Sequence, residues 1–160
     1  EKVNKAQVKL QMRMKFLREK AAHGVLRKVS EDSLEKLAKG LVSQNAMAGT
    51  VIVQQGGAKG VFYILRSGRA KVIKEVVIRP KDNKTTETNT ITVEIDTLKP
   101  GDIFGQLSVE PSKAASRLQI MGKTHCVLLS CPTEYLLMTL EYPLVIALQR
   151  IVNSMDVNDG

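Results

Sequence analysis

Apolar side chains recur every three or four residues at Val3, Ala6, Leu10, Met14 and Leu17, beside a stripe of Lys2, Lys5, Lys9 and Arg13. This spacing predicts a basic amphipathic helix over residues 1–29, loosened at Gly24. Ser30, followed by Glu31 and Asp32, has the form of an N-cap with acidic residues in the first turn, and Leu34, Leu37 and Leu41 mark one face of a short helix that Gly40 helps to end. From Thr50 the period becomes extended. Runs rich in β-branched and aromatic residues at 50–53, 61–65, 70–78, 90–95 and 118–130 predict strands, punctuated by Gly56-Gly57, Gly60, Gly68 and Pro100-Gly101. Residues 79–89 contain no large apolar side chain and predict an exposed hairpin tip. After Ser130 the helical period returns, with Pro132 suited to a first turn, Glu134 near its positive end, and apolar surface from Tyr135 to Leu140. Pro143 breaks that helix, and Leu144, Val145, Leu148, Ile151 and Val152 begin another. Helices, then short strands, then helices imply a mainly β protein, a sandwich or antiparallel roll with flanking helices.

The chain has 160 residues, enough for one core that removes roughly 70% of the unfolded surface from water. With 43% hydrophobic and 25% charged residues, neither wholesale disorder nor a disulfide scaffold is expected. No apolar run approaches the roughly 18 residues of a membrane span. Beginning at Glu1 without a methionine, the chain is expected to be a piece of a longer polypeptide. Cys126 and Cys131 do not have the spacing of a metal knuckle, and a reducing cytoplasm is the expected compartment.

Charge changes the picture more than composition does. Residues 1–28 carry nine Lys or Arg against Glu1 and Glu19, whereas the other 132 residues carry 15 basic and 14 acidic groups. The formal +8 is therefore local and does not mark the whole domain as a nucleic-acid binder. The apolar stripe of this segment either packs on its own domain, the commoner outcome for a surface helix, or meets an acidic partner helix, a calmodulin-like protein or an anionic membrane.

Candidate chemistry lies between two expected strands, in Phe104-Gly105-Gln106-Leu107-Ser108-Val109-Glu110-Pro111-Ser112-Lys113-Ala114-Ala115-Ser116. Small residues let backbone N–H groups approach a ligand, and a lysine adds positive charge, which suits a small anion such as a phosphodiester. On residue chemistry alone this is either an anion-holding bend or a plain connecting loop, with Lys113 a ligand or a loop-tip lysine. Arg117 reads as an ordinary solvated strand residue.

Three further motifs accompany it in order: Gly49-Thr50-Val51-Ile52-Val53-Gln54-Gln55-Gly56, then Phe62-Tyr63-Ile64-Leu65-Arg66-Ser67-Gly68-Arg69-Ala70-Lys71-Val72, then Leu98-Lys99-Pro100-Gly101-Asp102-Ile103-Phe104-Gly105. Over residues 30–142 the chain resembles the cyclic nucleotide-binding domain family. The resemblance implies an antiparallel β-roll flanked by helices, a phosphate-binding cassette, and residues 143–160 as a lid-like C-terminal helix. It implies binding of cAMP or cGMP through Gly105, Gln106, Leu107, Ser108, Lys113, Ala114, Ala115 and Ser116, with a helix rearrangement passed to an adjoining effector domain or protein partner. Gly105 would offer backbone to the sugar-phosphate. Gln106 stands where the family usually has a ribose-binding glutamate, Lys113 where it has a phosphate-binding arginine, and Ser116 where a threonine is usual. Ala114 lacks the hydroxyl that guanine-selective members place there, which leans toward cAMP.

Glutamine accepts without charge assistance, and lysine lacks the planar fork that grips two phosphate oxygens. The cassette is also about two residues short of the usual spacing. If each side-chain change costs roughly 1 to 2 kcal/mol, affinity falls on the order of a hundredfold. The competing expectation is a degenerate roll without ligand, serving as an interaction or autoinhibitory domain. DNA binding is not expected from this segment, because residues 143–160 are too few for a helix-turn-helix. An enzyme is the least expected class. His23 and His125 fall in different elements, no resident metal or cofactor is implied, and the two cysteines read as core thiols.

Overall fold

The structure, a computed structural model, describes residues 4–53, 60–78, 89–105 and 118–157. Among the described residues, eight strands form two four-stranded antiparallel sheets, with helices before and after them. The first sheet has the order β1 (Val42–Ala46), β8 (Cys126–Pro132), β3 (Val61–Ser67), β6 (Ile103–Gly105). The second has the order β2 (Val51–Val53), β7 (Leu118–Gly122), β4 (Ala70–Ile78), β5 (Asn89–Leu98). This is the mainly β architecture expected from the sequence.

In the first sheet β3, β8 and β6 contribute to cores on both faces, whereas the edge strand β1 is exposed but for Ala46, and residue alternation separates the two cores. Phe62 and Ile64 of β3, Leu129 and Cys131 of β8, and Ile103 of β6 join a core with the helices. Their neighbours Leu65, Leu128 and Phe104 join a second core inside the roll, with Ala70, Val72, Leu98, Leu118 and Ile120 of the other sheet. Double burial is why Val61–Leu65 reads as a continuous apolar run rather than an alternating one.

The N-terminal segment forms part of the first core. Where a basic amphipathic helix is expected across residues 1–29, the α-helix proper is α1 (Lys5–Glu19), capped by Asn4, and the chain then kinks into a 3₁₀ segment, Ala21–Lys28. Met14 and Leu17 are buried and Leu10 packs against the same core, so this part of the stripe is covered by the domain itself, whereas Ala6 is exposed and Val3 lies outside the described residues. Two cations of the basic segment are structural. Arg13 donates from Nη1 to the carbonyls of Ala38 and Leu41 at 3.0 and 2.8 Å, satisfying the C-terminal end of α2 (Glu31–Gly40). Arg18 donates to the carbonyls of Arg27 and Val29 and pairs with Glu31. Ser30 caps α2 as expected, accepting from Ser33 N–H.

Several element boundaries differ from expectation. β1 precedes the expected onset at Thr50; three of its first four residues are polar, and it is held by pairing with β8. β6 is three residues long, too short for periodicity to reveal. The run 118–130 is two strands rather than one: between them Lys123 and Thr124 N–H both donate to the Arg69 carbonyl, while the Gly122 carbonyl accepts from Gly49 N–H. Asn89 belongs to β5, paired with Ile78, and the remainder of the expected hairpin tip lies outside the described residues. At the C-terminal end, α3 (Thr133–Thr139) follows β8 directly, and Pro143 sits in the first turn of α4 (Tyr142–Val157). Val145, Leu148 and Val152 of α4 are buried in the helical core, against the 3₁₀ segment and β6.

Candidate functional site

The expected ligand-binding segment joins the two sheets. It leaves the first sheet at Gly105, the last residue of β6, and returns at Leu118, whose pairing with Lys74 places the start of β7 beside β4 in the second sheet. Of the predicted site residues, Gly105 is described. Gln106, Leu107, Ser108, Lys113, Ala114, Ala115 and Ser116 lie outside the described residues, as does Arg117.

Gly105 occupies the left-handed region at φ +106, and a Cβ there would lie 2.3 Å from the Val61 carbonyl oxygen and 3.1 Å from the Tyr63 ring. Only glycine fits where the chain enters the segment. Phe104, fully buried, stacks on Tyr63 with ring centroids 5.0 Å apart and planes 8° apart. Burial raises the Tyr63 phenol above its ordinary range.

The turn before β6 is tied to the N-terminal kink. Pro100 and Gly101, at φ +98, take the central positions of a turn from Lys99 to Asp102, in which Asp102 accepts from Lys99 N–H at 2.9 Å. Gly101 N–H donates to Leu65, and Leu65 N–H to Asp102, anchoring the turn to β3. From the other side Ala22 N–H donates to the Gly101 carbonyl at 2.8 Å, and His23 Nε2 lies 3.7 Å from Asp102 Oδ1. Ala22 and His23 have φ of 51° and 56°, a region that costs residues with a side chain of order 1 kcal/mol each. A Cβ on Gly101 would fall 2.4 Å from the Lys20 carbonyl. Along the sequence Pro100-Gly101 reads as punctuation and Gly24 as a loose point. The clasp between them joins residues about eighty positions apart and has no local signal.

Other candidate groups remain apart. His23 sits at the kink and His125 in the turn before β8, and among the described residues no three His, Cys, Asp or Glu side chains could together hold a metal. Cys131 is buried and its thiol is pushed up to about 11 by burial, so it is protonated and unreactive at neutral pH. Cys126 is also buried, its Sγ 3.1 Å from the Arg69 carbonyl oxygen.

A two-sheet roll with an N-terminal helical layer, in which a glycine-entered segment joins the two sheets, is the framework on which the comparisons bear. Comparison with known proteins gives its family: residues 43–142 match the model of the cyclic nucleotide-binding domain, and the chain belongs to that family. It is 29% identical over 107 residues to cGMP-dependent protein kinase, isozyme 1, of Drosophila melanogaster, a match covering 66% of this chain and 13% of the kinase. Among solved structures it resembles the regulatory domain of Toxoplasma gondii PKA with cAMP, at TM-score 0.70 and 20% identity over 91% of this chain and 50% of that one. A second domain of a PKA regulatory subunit, bound to Sp-2Cl-cAMPS, gives TM-score 0.67 and 22% identity over 97% of this chain and 92% of that one. The regulatory subunit of a cAMP-independent protein kinase A from Trypanosoma cruzi, bound to guanosine, gives TM-score 0.65 and 19% identity over 92% of this chain and 47% of that one. The chain is thus a cyclic nucleotide-binding regulatory domain similar to those of the cAMP- and cGMP-dependent kinases, and these structural likenesses carry the fold alone.

Proposed function

We propose that the domain binds a cyclic nucleotide, cAMP in preference to cGMP, and passes a helix rearrangement to an adjoining domain or partner, itself performing no catalysis. In this reading Gly105 and the backbone of Gln106, Leu107 and Ser108 meet the sugar-phosphate, Gln106 accepts from the ribose 2′-hydroxyl, and Lys113 faces the phosphate. Ala114, Ala115 and Ser116 keep the far wall small. Residues 143–160 act as a lid, residues 30–142 as the binding roll, and the protein works in the cytoplasm.

The observation that carries the reading is the hydrogen bond from Ala22 N–H to Gly101 O, which ties the helical layer to the turn leading into the binding segment. Three residues beyond that turn's glycine, Phe104 lies in the roll core, while Ile103 lies in the helical core against which α4 packs. A ligand that shifts Gly105 therefore acts on both helical ends through β6, provided it binds one helix arrangement better than the other.

Titration of the chain with labelled cAMP and cGMP, repeated on Lys113→Ala, tests this. Concentration-dependent thermal stabilisation by cAMP, weaker for cGMP and lost in Lys113→Ala, is the expected result. No shift at millimolar nucleotide overturns it. Gln106 and Lys113, in place of the family's glutamate and arginine, favour a second reading, a roll retained for protein contact or for another ligand. A guanosine arm in the same titration separates these, since the T. cruzi relative is described with guanosine bound.

A further inference from the structure

The stripe on α1 that packs inward leaves a second face outside. Lys5, Val8, Lys9, Met12, Lys15 and Glu19 all lie exposed on it, with Val8 at 41% and Met12 at 58%. Lys5 and Lys9, and likewise Val8 and Met12, are four residues apart and so neighbours along a helix about 22 Å long. The two apolar side chains therefore sit between lysines. Arg13 and Arg18 are bonded within the fold, whereas Lys5, Lys9 and Lys15 form no ion pair among the described residues. On the flank toward α2, Lys15 and Glu19 border a groove of about 190 Å³ whose floor includes Met14 and Leu34 and whose rim carries Gln11 and the Arg18–Glu31 ion pair.

We infer that this outer face of α1 docks an acidic amphipathic polypeptide segment, whose carboxylates meet Lys5, Lys9 and Lys15 and whose aliphatic side chains cover Val8 and Met12 and enter the groove. Two features select a polypeptide over an anionic bilayer. Glu19 lies on the same face at its C-terminal end, where a uniformly negative sheet of headgroups meets repulsion but a segment with one basic residue finds a partner. Two apolar side chains are too little for an interfacial helix to insert, while a groove gives specificity to a side chain. The inference is independent of nucleotide binding.

The test uses the 160-residue chain and a fluorescent synthetic helical peptide with glutamates four residues apart flanking a leucine seam. Saturable binding is expected, weakened at least about tenfold by the double change Lys5→Glu with Lys9→Glu and to a lesser degree by Met12→Ser. The thermal midpoint stays unchanged because all three side chains are exposed. Replacing the peptide's leucines by alanine also weakens binding. Absence of saturation at millimolar peptide, or affinity indifferent to the lysine reversals, overturns the inference. Tighter association with phosphatidylserine vesicles than with the peptide, increased by Glu19→Lys, overturns it in favour of a membrane surface.

Discussion

The two sheets share an interior but differ in their outer faces. In the first, β3, β8 and β6 are covered by the roll core on one side and the helices on the other, with only the edge strand β1 exposed. The second has solvent on its outer face, and its long hairpin outruns its neighbours: β4 and β5 pair from Ala70–Leu98 out to Ile78–Asn89, but β7 reaches only Lys74. Beyond that point Val76, Val77, Ile78 and Ile91 are exposed on a two-stranded ribbon. The proposed binding segment leaves from the covered sheet at Gly105 and returns to the open one at Leu118, which is itself buried in the roll core. A perturbation of the covered sheet reaches the helices at once, while a perturbation of the ribbon has nowhere to go.

That contrast breaks first at Phe104. Phe104→Ala should cost about 3–5 kcal/mol, since it opens a cavity in the roll core and removes the stack with Tyr63, measurable as a fall in the urea midpoint. Next is the clasp. Gly101→Ala should cost about 2 kcal/mol, because a Cβ at φ +98 meets the Lys20 carbonyl, and hydrogen exchange at the Ala22 amide should quicken as the kink lets go.

A pH test sharpens the same comparison. Folding holds the Cys131 thiol neutral, with its pKa pushed up to about 11 from the ordinary thiol value near 9. Below about pH 9 both states are protonated and stability is complete; between about pH 9 and 11 the unfolded chain ionises first, so stability falls as pH rises. Cys131→Ala should flatten that decline in urea midpoints taken across the range. A smaller effect is expected at His23, where glycine relieves a positive φ and should raise stability by about 0.5–1 kcal/mol in thermal melts. Last, Val77→Thr on the ribbon should change stability by less than about 0.5 kcal/mol. A large loss there would mean the ribbon is more firmly held than its exposure implies.

Much of this fold was legible along the chain. Ser30 announced α2, the 70–78 run was a strand to the residue, and Pro143 marked the last helix, because caps, branched side chains and proline act within a few residues. β1 and β6 were not legible: one is polar and the other too short to have a period, and both are held by partners far away in the chain. At the candidate site the glycine requirement at Gly105 could be anticipated from its place in the motif, whereas the Tyr63–Phe104 stack could not. Nor could the retirement of Arg13 from the basic stripe, since a cation's bonding to distant carbonyls leaves no trace in helical spacing.

By itself the amino-acid order determined the alternation of helical and extended segments, the concentration of positive charge in the first 28 residues, and the motif order that marks the family. Only the tertiary structure decided that the first sheet faces two cores, that the kink at Ala22 and His23 grips the turn at Gly101, and which lysines of α1 are left to solvent. The physical reason is range. Propensity, capping and periodicity are set by neighbours in sequence, while burial, strain and the pairing of charges depend on which distant surfaces close over one another.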